Sequence, residues 1–148
     1  FSPDGRWWAS TGEDGFLMLF PRAIAVAPME AVGKPRPRRN DGIPVLVGSG
    51  PVPGLAFSPD GRYVATPRNN DHEDPAVVIW DVPELAANPT PPGPPTRTIT
   101  GHSIPVLAVA FTADGTGVAG GGFDGMVRVW DPETGQERTT LGGPTRPV

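Results

Sequence analysis

The sequence predicts an all-β fold that repeats a small sheet of short antiparallel strands, and two observations predict it. The hexapeptide FSPDGR occupies residues 1–6 and returns at 57–62, and the related FTADGT follows at 111–116. After each copy comes an aspartate that lies six residues before a bulky aromatic residue. This spacing survives an insertion in the second copy, so it marks a repeated structural unit rather than a chance similarity.

Each copy contains a strong tight-turn signal, Pro-Asp-Gly at 3–5 and 59–61 and Ala-Asp-Gly at 113–115. Proline fixes φ, the aspartate side chain can accept a hydrogen bond from the nearby backbone, and glycine tolerates positive φ. Each turn therefore joins two antiparallel strands. The short apolar segments at 54–57 and 106–111 precede the second and third turns, and they are predicted to be buried innermost strands.

Three further strands are predicted to follow each innermost strand. The second strand lies at 62–66 and 117–121 in the two complete copies, and the third strand is the run that ends at Trp80 or Trp130. The 20 glycines and 21 prolines fall largely at turns or in two inserts, so they separate strands rather than indicate disorder. Fainter fourth strands are predicted at 43–47, 96–100 and 136–141.

The third copy carries the fullest motif, GHSIPVLAVAFTADGTGVAGGGFDGMVRVWD over 101–131. It has a Gly-His pair before its innermost strand and a Trp-Asp pair after its third strand, and the second copy repeats the latter at Trp80 and Asp81. These motifs resemble the WD-repeat family. The resemblance implies a partial WD-repeat β-propeller of about three four-stranded antiparallel blades, open because closure needs about four to eight blades.

The repeats divide the chain into three parts. Residues 1–56 are predicted to form blade 1, with a truncated innermost strand and an insert at 21–42, and the start of blade 2. Residues 57–105 form blade 2, with a Pro-rich insert at 83–95, and the lead-in to blade 3. Residues 106–148 form blade 3 and lead into a missing blade. We therefore expect a fragment whose remaining blades come from missing chain or, as a less favoured alternative, from self-assembly.

The resemblance also implies a buried hydrogen-bonded set that connects the inner-strand loop, the hairpin turn and the third strand of a blade. In the third copy, glycines at 120–122 replace the hydroxyl residue that the family carries on its second strand, so this set is predicted to be incomplete. No nucleophile accompanies the histidine and aspartate in a recognisable motif, which argues against catalysis. The predicted structural residues are His102, Asp124, Trp130, Asp14, Asp74 and Trp80.

A polar loop in the second copy, PRNNDHED at 67–74, gathers acidic and imidazole groups. Such groups could bind a cation or a ligand, but their spacing matches no calcium loop and no zinc motif, so a solvated loop is favoured. Recognition commonly resides in loops on a rigid scaffold. The candidate interaction surface consists of Asp71, His72, Glu73, Asp74, His102, Ser103 and Phe123.

Composition narrows the classes of partner. The net charge of −4 is spread along the chain and gives no field for nucleic acid or an anionic membrane. A basic segment at 34–39 is interpreted as an exposed linker, with phosphate contacts or a nuclear address as alternatives. No cofactor or metal is expected. No apolar run approaches the roughly 20 residues that span a bilayer. A cytoplasmic location is predicted. The Ala-, Arg-, Pro- and Gly-rich composition of the inserts suggests a bacterial source.

Taken with the resemblance, these observations predict a non-catalytic protein–protein interaction scaffold with a partner of unknown identity. The alternative is the accessory propeller of a multidomain enzyme, a kinase or a serine hydrolase or peptidase, whose catalytic domain lies outside this chain. FSPDGR motifs also resemble propellers attached to serine peptidases, but the Trp-Asp and Gly-His pairs favour the scaffold. A non-functional remnant is a third alternative.

Overall fold

A computed structural model describes residues 1–22, 42–70, 73–89 and 93–142 of the chain. These residues form three antiparallel sheets in an open row, which confirms the predicted all-β, unclosed, partial propeller. The strands are β1 (Trp7–Thr11), β2 (Phe16–Pro21), β3 (Ile43–Leu46), β4 (Ala56–Phe57), β5 (Tyr63–Arg68), β6 (Ala76–Asp81), β7 (Arg97–Thr100), β8 (Val106–Phe111), β9 (Val118–Gly122), β10 (Met126–Trp130) and β11 (Glu137–Gly142).

Within each sheet, every strand pairs with the strand that follows it in the chain. Blade 1 contains β1 to β3, blade 2 contains β4 to β7, and blade 3 contains β8 to β11. Of the predicted innermost strands, β8 has the expected bounds, whereas β4 forms a ladder over only two residues. The basic segment at 34–39 lies outside the described residues. In the described part of the chain, no helix has the length and apolar character needed to cross a membrane.

The three predicted turns share one hydrogen-bond pattern. In the third turn, the Thr112 hydroxyl donates to Asp114 at 2.5 Å, Asp114 accepts the Thr116 N–H at 3.0 Å, and the Thr112 oxygen accepts the Gly117 N–H at 2.8 Å. The glycine after each turn aspartate has a φ of about 70°, which other residues rarely adopt. The same three bonds recur among Ser2, Asp4, Arg6 and Trp7, and among Ser58, Asp60, Arg62 and Tyr63.

Neighbouring blades pack face to face through positions that are equivalent in strand register. In each blade, two alternate residues of the third strand point toward the next blade. The residue of the fourth strand that pairs with the first of these two points the same way. In blades 1 and 2 these side chains are fully buried in the two cores, which consist largely of aliphatic residues. The buried sets are Leu17, Leu19 and Val45 in blade 1, and Val77, Ile79 and Ile99 in blade 2.

The equivalent set in blade 3 is Val127, Val129 and Leu141, because Val127 pairs with Leu141 just as Val77 pairs with Ile99. No described element covers this set. Val127 is 39% exposed and Leu141 is 58% exposed. The far face of blade 3 therefore has the composition of an interface between blades, but it faces solvent.

A short helix, α1 (Val82–Ala87), begins the Pro-rich insert at 83–95, where no helix was predicted from the sequence. The Asp81 side chain caps the helix by accepting the Glu84 N–H at 2.9 Å, and a proline in the first turn suits a position that lacks an intrahelical N–H bond. The remainder of the insert includes residues 90–92, which lie outside the described residues. Two α1 side chains are buried in the core between blades 1 and 2, Val82 and Leu85.

Candidate interaction surface

The strands run between two ends of the row of blades. The lower end carries the Asp-containing turns after each innermost strand and the connections between third and fourth strands. The upper end carries the connections into each innermost strand and the loops between second and third strands. In the described residues, the upper end comprises 12–15, 47–55, 69–70, 73–75, 101–105 and 123–125.

His102 lies at the upper end with its ring inside blade 3 and only 4% of the residue exposed. Its Nε2 is 3.2 Å from the Gly120 carbonyl oxygen, and its Nδ1 is 3.4 Å from a carboxylate oxygen of Asp124. The ring also contacts Trp130 edge to face, with 5.6 Å between ring centroids. The structure thus brings together three of the predicted structural residues. Both ring nitrogens face groups within the blade, so the ring is not positioned as a base for a substrate.

The same burial corrects one assignment. The sequence places His102 in the candidate interaction surface because its Gly-His pair lies in a loop, but its ring points into the blade. The loop backbone, rather than the imidazole, reaches solvent here, since Gly101 and Ser103 on either side are exposed.

Glycines on β9 allow this close packing. A Cβ atom at Gly122 would lie 2.7 Å from His102 Nδ1 and 2.7 Å from Asp124 Oδ1. A Cβ atom at Gly120 would lie 2.9 Å from the Trp130 ring. The absence of the family's hydroxyl residue therefore leaves no empty space, because the His102 ring lies against β9 and its Nε2 faces the Gly120 carbonyl.

Asp124 connects the turn to the strands. Its carboxylate accepts the Met126 N–H at 3.0 Å and lies 3.7 Å from the Arg128 guanidinium. Burial acts to raise the pKa of Asp124, but the Met126 N–H, His102 and Arg128 together hold that pKa below its usual value. Arg128 also donates to the Gly101 carbonyl at 3.0 Å. Arg128 is not among the residues predicted from the sequence, although a cation four residues after the aspartate was an available signal.

The predicted structural residues of blades 1 and 2 differ from one another in their hydrogen bonds. In blade 2, the Trp80 indole N–H donates to the Thr66 hydroxyl at 3.4 Å in the core. In blade 1, Asp14 accepts the Phe16 N–H at 3.3 Å and so closes its turn. Asp74 does not join a structural set as predicted, because the longer loop before β6 carries it into solvent, where it makes no hydrogen bond or ion pair with any described residue.

Two asparagines in the loop that is predicted to be solvated bind it to neighbouring parts of the chain. The Asn69 amide donates to the Val106 carbonyl at 2.8 Å and accepts the Val106 N–H at 2.9 Å. Asn70 accepts the Ser49 N–H at 3.0 Å and donates to Glu73 at 2.8 Å. An asparagine side chain carries a donor and an acceptor like the backbone, so this loop binds β8 as a strand would.

The structure places four of the proposed surface residues on the solvent side of the upper end, namely Glu73, Asp74, Ser103 and Phe123. Phe123 is 70% exposed, and its N–H donates to the Pro105 carbonyl at 3.1 Å. The predicted surface residues Asp71 and His72 lie outside the described residues. Among the residues that are described, no three His, Asp or Glu side chains are grouped so that they could hold a metal ion.

Comparison with known proteins extends the resemblance across the chain. The family model described as "WD domain, G-beta repeat" matches residues 1–20, 42–81 and 93–131, which together exceed half of the chain. WD repeat-containing protein 1 of Bos taurus is 29% identical over 135 residues, covering 89% of this chain and 18% of that protein.

Two other relatives match shorter stretches. Small ribosomal subunit protein RACK1 of Caenorhabditis elegans is 35% identical over 63 residues, which are 42% of this chain and 19% of that protein. Pre-mRNA-processing factor 17 of Saccharomyces cerevisiae is 31% identical over 87 residues, which are 59% of this chain and 17% of that protein.

This chain spans less than a fifth of the length of each of these relatives. All of them come from eukaryotes, so the bacterial source suggested by the composition of the inserts finds no support. The turns, the strand order and the matched repeats agree with one another, and the chain belongs to the WD-repeat family.

Proposed function

We propose that the chain is part of a non-catalytic platform that binds other proteins through the upper end of its blades. Family membership supports this proposal, and so does the use of both His102 ring nitrogens inside blade 3. The names of two relatives refer to a ribosomal subunit and to pre-mRNA processing. The same repeat unit is thus found in proteins with unlike tasks, as expected of a scaffold with variable loops.

The observation that carries the proposal is the presentation of Phe123. The residue is 70% exposed, yet its backbone is fixed by the Pro105 carbonyl on one side and by the Asp124 turn on the other. An aromatic side chain on a fixed backbone offers a partner a large contact area, and only a few of its torsion angles must be ordered on binding. The exposed carboxylates of Glu73 and Asp74 on blade 2 supply polar groups at the same end. This combination favours a protein partner.

The remaining features of the platform follow as proposals. The set of Val127, Val129 and Leu141, in which Val127 and Leu141 are exposed, supports a further blade that covers this face, supplied by additional chain or, less favoured, by self-assembly. The partner is a protein of unknown identity, and we propose a cytoplasmic location.

A site-specific crosslinking experiment tests the upper end. A photoreactive benzoylphenylalanine replaces Phe123 in one sample, and the same group replaces the exposed Glu84 on α1 in the control sample. We expect crosslinked proteins that appear only from position 123, and we expect Glu73→Lys in the same chain to reduce their yield. Identical products from both positions, or no product specific to position 123, would refute the proposal.

A further inference from the structure

An open groove with a volume of about 730 Å³ lies at the lower end, between blade 1 and α1 of blade 2. Trp7 and Pro21 of blade 1 and Pro83 of α1 supply apolar surface, whereas Arg6 and Arg22 supply two guanidinium groups. Ligand sites in proteins commonly measure about 300–1,000 Å³. The groove is therefore large enough for one side chain and a short piece of peptide backbone.

The two arginines of this groove lie directly opposite each other. The Arg22 N–H donates to the Arg6 carbonyl at 2.7 Å, one residue pair beyond Trp7 and Pro21. Residues that are opposite in an antiparallel pair share one face of the sheet, with Cβ atoms about 5 Å apart, and like charges there repel each other. The Arg22 guanidinium also reaches the first turn, since a Cβ atom at Gly5 would lie 3.3 Å from its Nη1. An anion bound between the two arginines would offset this repulsion.

Blade 2 has an internal ion pair at the same place. Arg62 is equivalent in strand register to Arg6, and its Nε–H donates to the Asp81 carboxylate at 3.0 Å. The residue of blade 1 that is equivalent to Asp81 is Pro21, which has no carboxylate. At the position of Arg22, blade 2 has the apolar first residue of α1. Compared with blade 2, blade 1 therefore has one anion fewer and one cation more.

No carboxylate in the described part of the chain takes over the role of Asp81 in blade 1. Asp4 lies 3.6 Å from Arg6 Nε, which is too far for a hydrogen bond. The first turn already uses Asp4, which accepts the Ser2 hydroxyl at 2.5 Å and the Arg6 N–H at 3.0 Å. The Arg6 side chain is 80% exposed, and the Arg22 guanidinium makes no hydrogen bond or ion pair with a described residue. Both guanidinium groups are thus accessible to a ligand.

We propose that this groove binds an aspartate or glutamate residue of a partner peptide. Its carboxylate accepts hydrogen bonds from Arg6, as the Asp81 carboxylate does from Arg62 in blade 2, and from Arg22. The apolar walls of the groove contact the CH₂ groups of that residue and the peptide backbone beside it. The groove lies at the opposite end of the blades from Phe123, so failure of either this proposal or the proposed function leaves the other standing.

A titration with short blocked peptides tests the ligand class. The ¹⁵N-labelled chain of 148 residues is titrated at pH 7 with acetyl-Gly-Glu-Gly-amide, and the Gly5 amide and the Trp7 indole N–H are followed by NMR. We expect saturable shifts at both groups, weaker binding at high salt, and affinity about fivefold or more weaker for the glutamine peptide. Equal affinity for the glutamate and glutamine peptides, or no shift at these groups, overturns the proposal. Binding of a phosphoserine peptide without binding of the glutamate peptide also overturns it, because the ligand would then be a phosphate.

A matched pair of arginine variants tests the residues. Arg22→Gln should weaken binding of the glutamate peptide about two- to fivefold, because one of the two guanidinium groups is removed. Arg62→Gln is the control and should leave binding unchanged, since Arg62 bonds Asp81 and does not line the groove. No effect of Arg22→Gln, or the same loss in both variants, would show that the assignment is wrong.

A change at Pro21 tests the comparison between blades. Pro21→Asp gives blade 1 a carboxylate at the position equivalent to Asp81, and this carboxylate should compete with the glutamate peptide for Arg6. Pro21→Asn has a similar shape without the charge, and it should bind the peptide more tightly than Pro21→Asp does. Equal affinity of these two variants contradicts the proposal. The amide shifts of Thr66 and Gly120 in each variant report whether the blades remain folded.

Discussion

Gly122 illustrates how a single missing side chain decides the packing of blade 3. A methyl group at this position would overlap His102 and Asp124, both of which are fixed by other contacts. We predict that Gly122→Ala lowers the free energy of unfolding by about 1–3 kcal/mol, because overpacking must displace the ring or the carboxylate. Urea unfolding followed by far-ultraviolet circular dichroism measures this change.

Gly121 provides the matched control on the same strand. A Cβ atom there would meet nothing within 4 Å, and its φ is not in the left-handed region. Gly121→Ala should therefore change the free energy of unfolding by less than about 1 kcal/mol, in the stabilising direction. Equal effects at the two positions would show that the His102 contact is not what requires glycine in β9.

Asn69 acts at the same scale but across blades. Asn69→Ala leaves the buried Val106 N–H and carbonyl without their partners, and we predict a loss of about 1–3 kcal/mol in the free energy of unfolding. Asn88→Ala is the control, because the Asn88 side chain is exposed and makes no hydrogen bond with a described residue; it should change stability by less than about 0.5 kcal/mol. A similar loss in both variants would show that the hydrogen bonds to Val106 are not the cause of the loss.

At the scale of elements, the aspartates of the turns make the free energy of unfolding depend on pH in the acid range. The folded pKa of Asp114 is about 2, below the ordinary value of 3.8, because the Thr112 hydroxyl and the backbone and hydroxyl of Thr116 bond the charged form. A lowered folded pKa stabilises the fold above the unfolded value, and this contribution is lost as the pH falls from about 4 through about 2. Asp4 and Asp60 shift in the same direction.

We therefore predict that Asp114→Asn is less stable than the parent at pH 7 but loses less stability between pH 5 and pH 2. Urea unfolding midpoints at several pH values measure the difference in slope. Glu13→Gln is the control, since Glu13 makes no hydrogen bond or ion pair with a described residue, and it should follow the parent curve. Parallel curves for parent and Asp114→Asn would contradict the assignment.

The elements that the sequence predicted well are those with a local signal. The Asp-Gly turns and the fixed distance to the aromatic residue place the strands within one or two residues of their observed bounds, apart from the short β4. Helix α1 was missed because proline-rich composition obscured a normal N-terminal signal, Asp81 three residues before Glu84.

The candidate site was less predictable because it depends on distant contacts. Family resemblance selected His102, Asp124 and Trp130, which meet as a group. It could not locate Asp74, whose position depends on the length of a loop. Nor could it find Asn69, which bonds a residue 37 positions away that no local pattern connects to it.

At the scale of the whole molecule, the far face of blade 3 predicts that these 148 residues associate with one another when no further blade covers that face. We expect the double change Val127→Lys and Leu141→Lys to reduce concentration-dependent association with little effect on the free energy of unfolding, because both side chains are exposed. Sedimentation velocity at several protein concentrations measures this association.

Ile99 of blade 2 is equivalent in strand register to Leu141, and a change at Ile99 provides the comparison. Ile99→Lys should lower the free energy of unfolding by more than about 3 kcal/mol, because Ile99 is buried against blade 3 and the ammonium group would have no partner. Equal destabilisation at Leu141 and Ile99 would show that the far face is already covered in solution.

The placement of the tryptophans has an optical consequence. Trp130 lies buried in the core between blades 2 and 3, Trp80 lies in the core between blades 1 and 2, and Trp7 and Trp8 are at least partly exposed. With Trp7 and Trp8 replaced by phenylalanine, each junction would retain one fluorophore of its own. Red shifts of emission from single-tryptophan versions would then reveal which junction separates first under denaturant, and whether the three blades come apart together or in sequence.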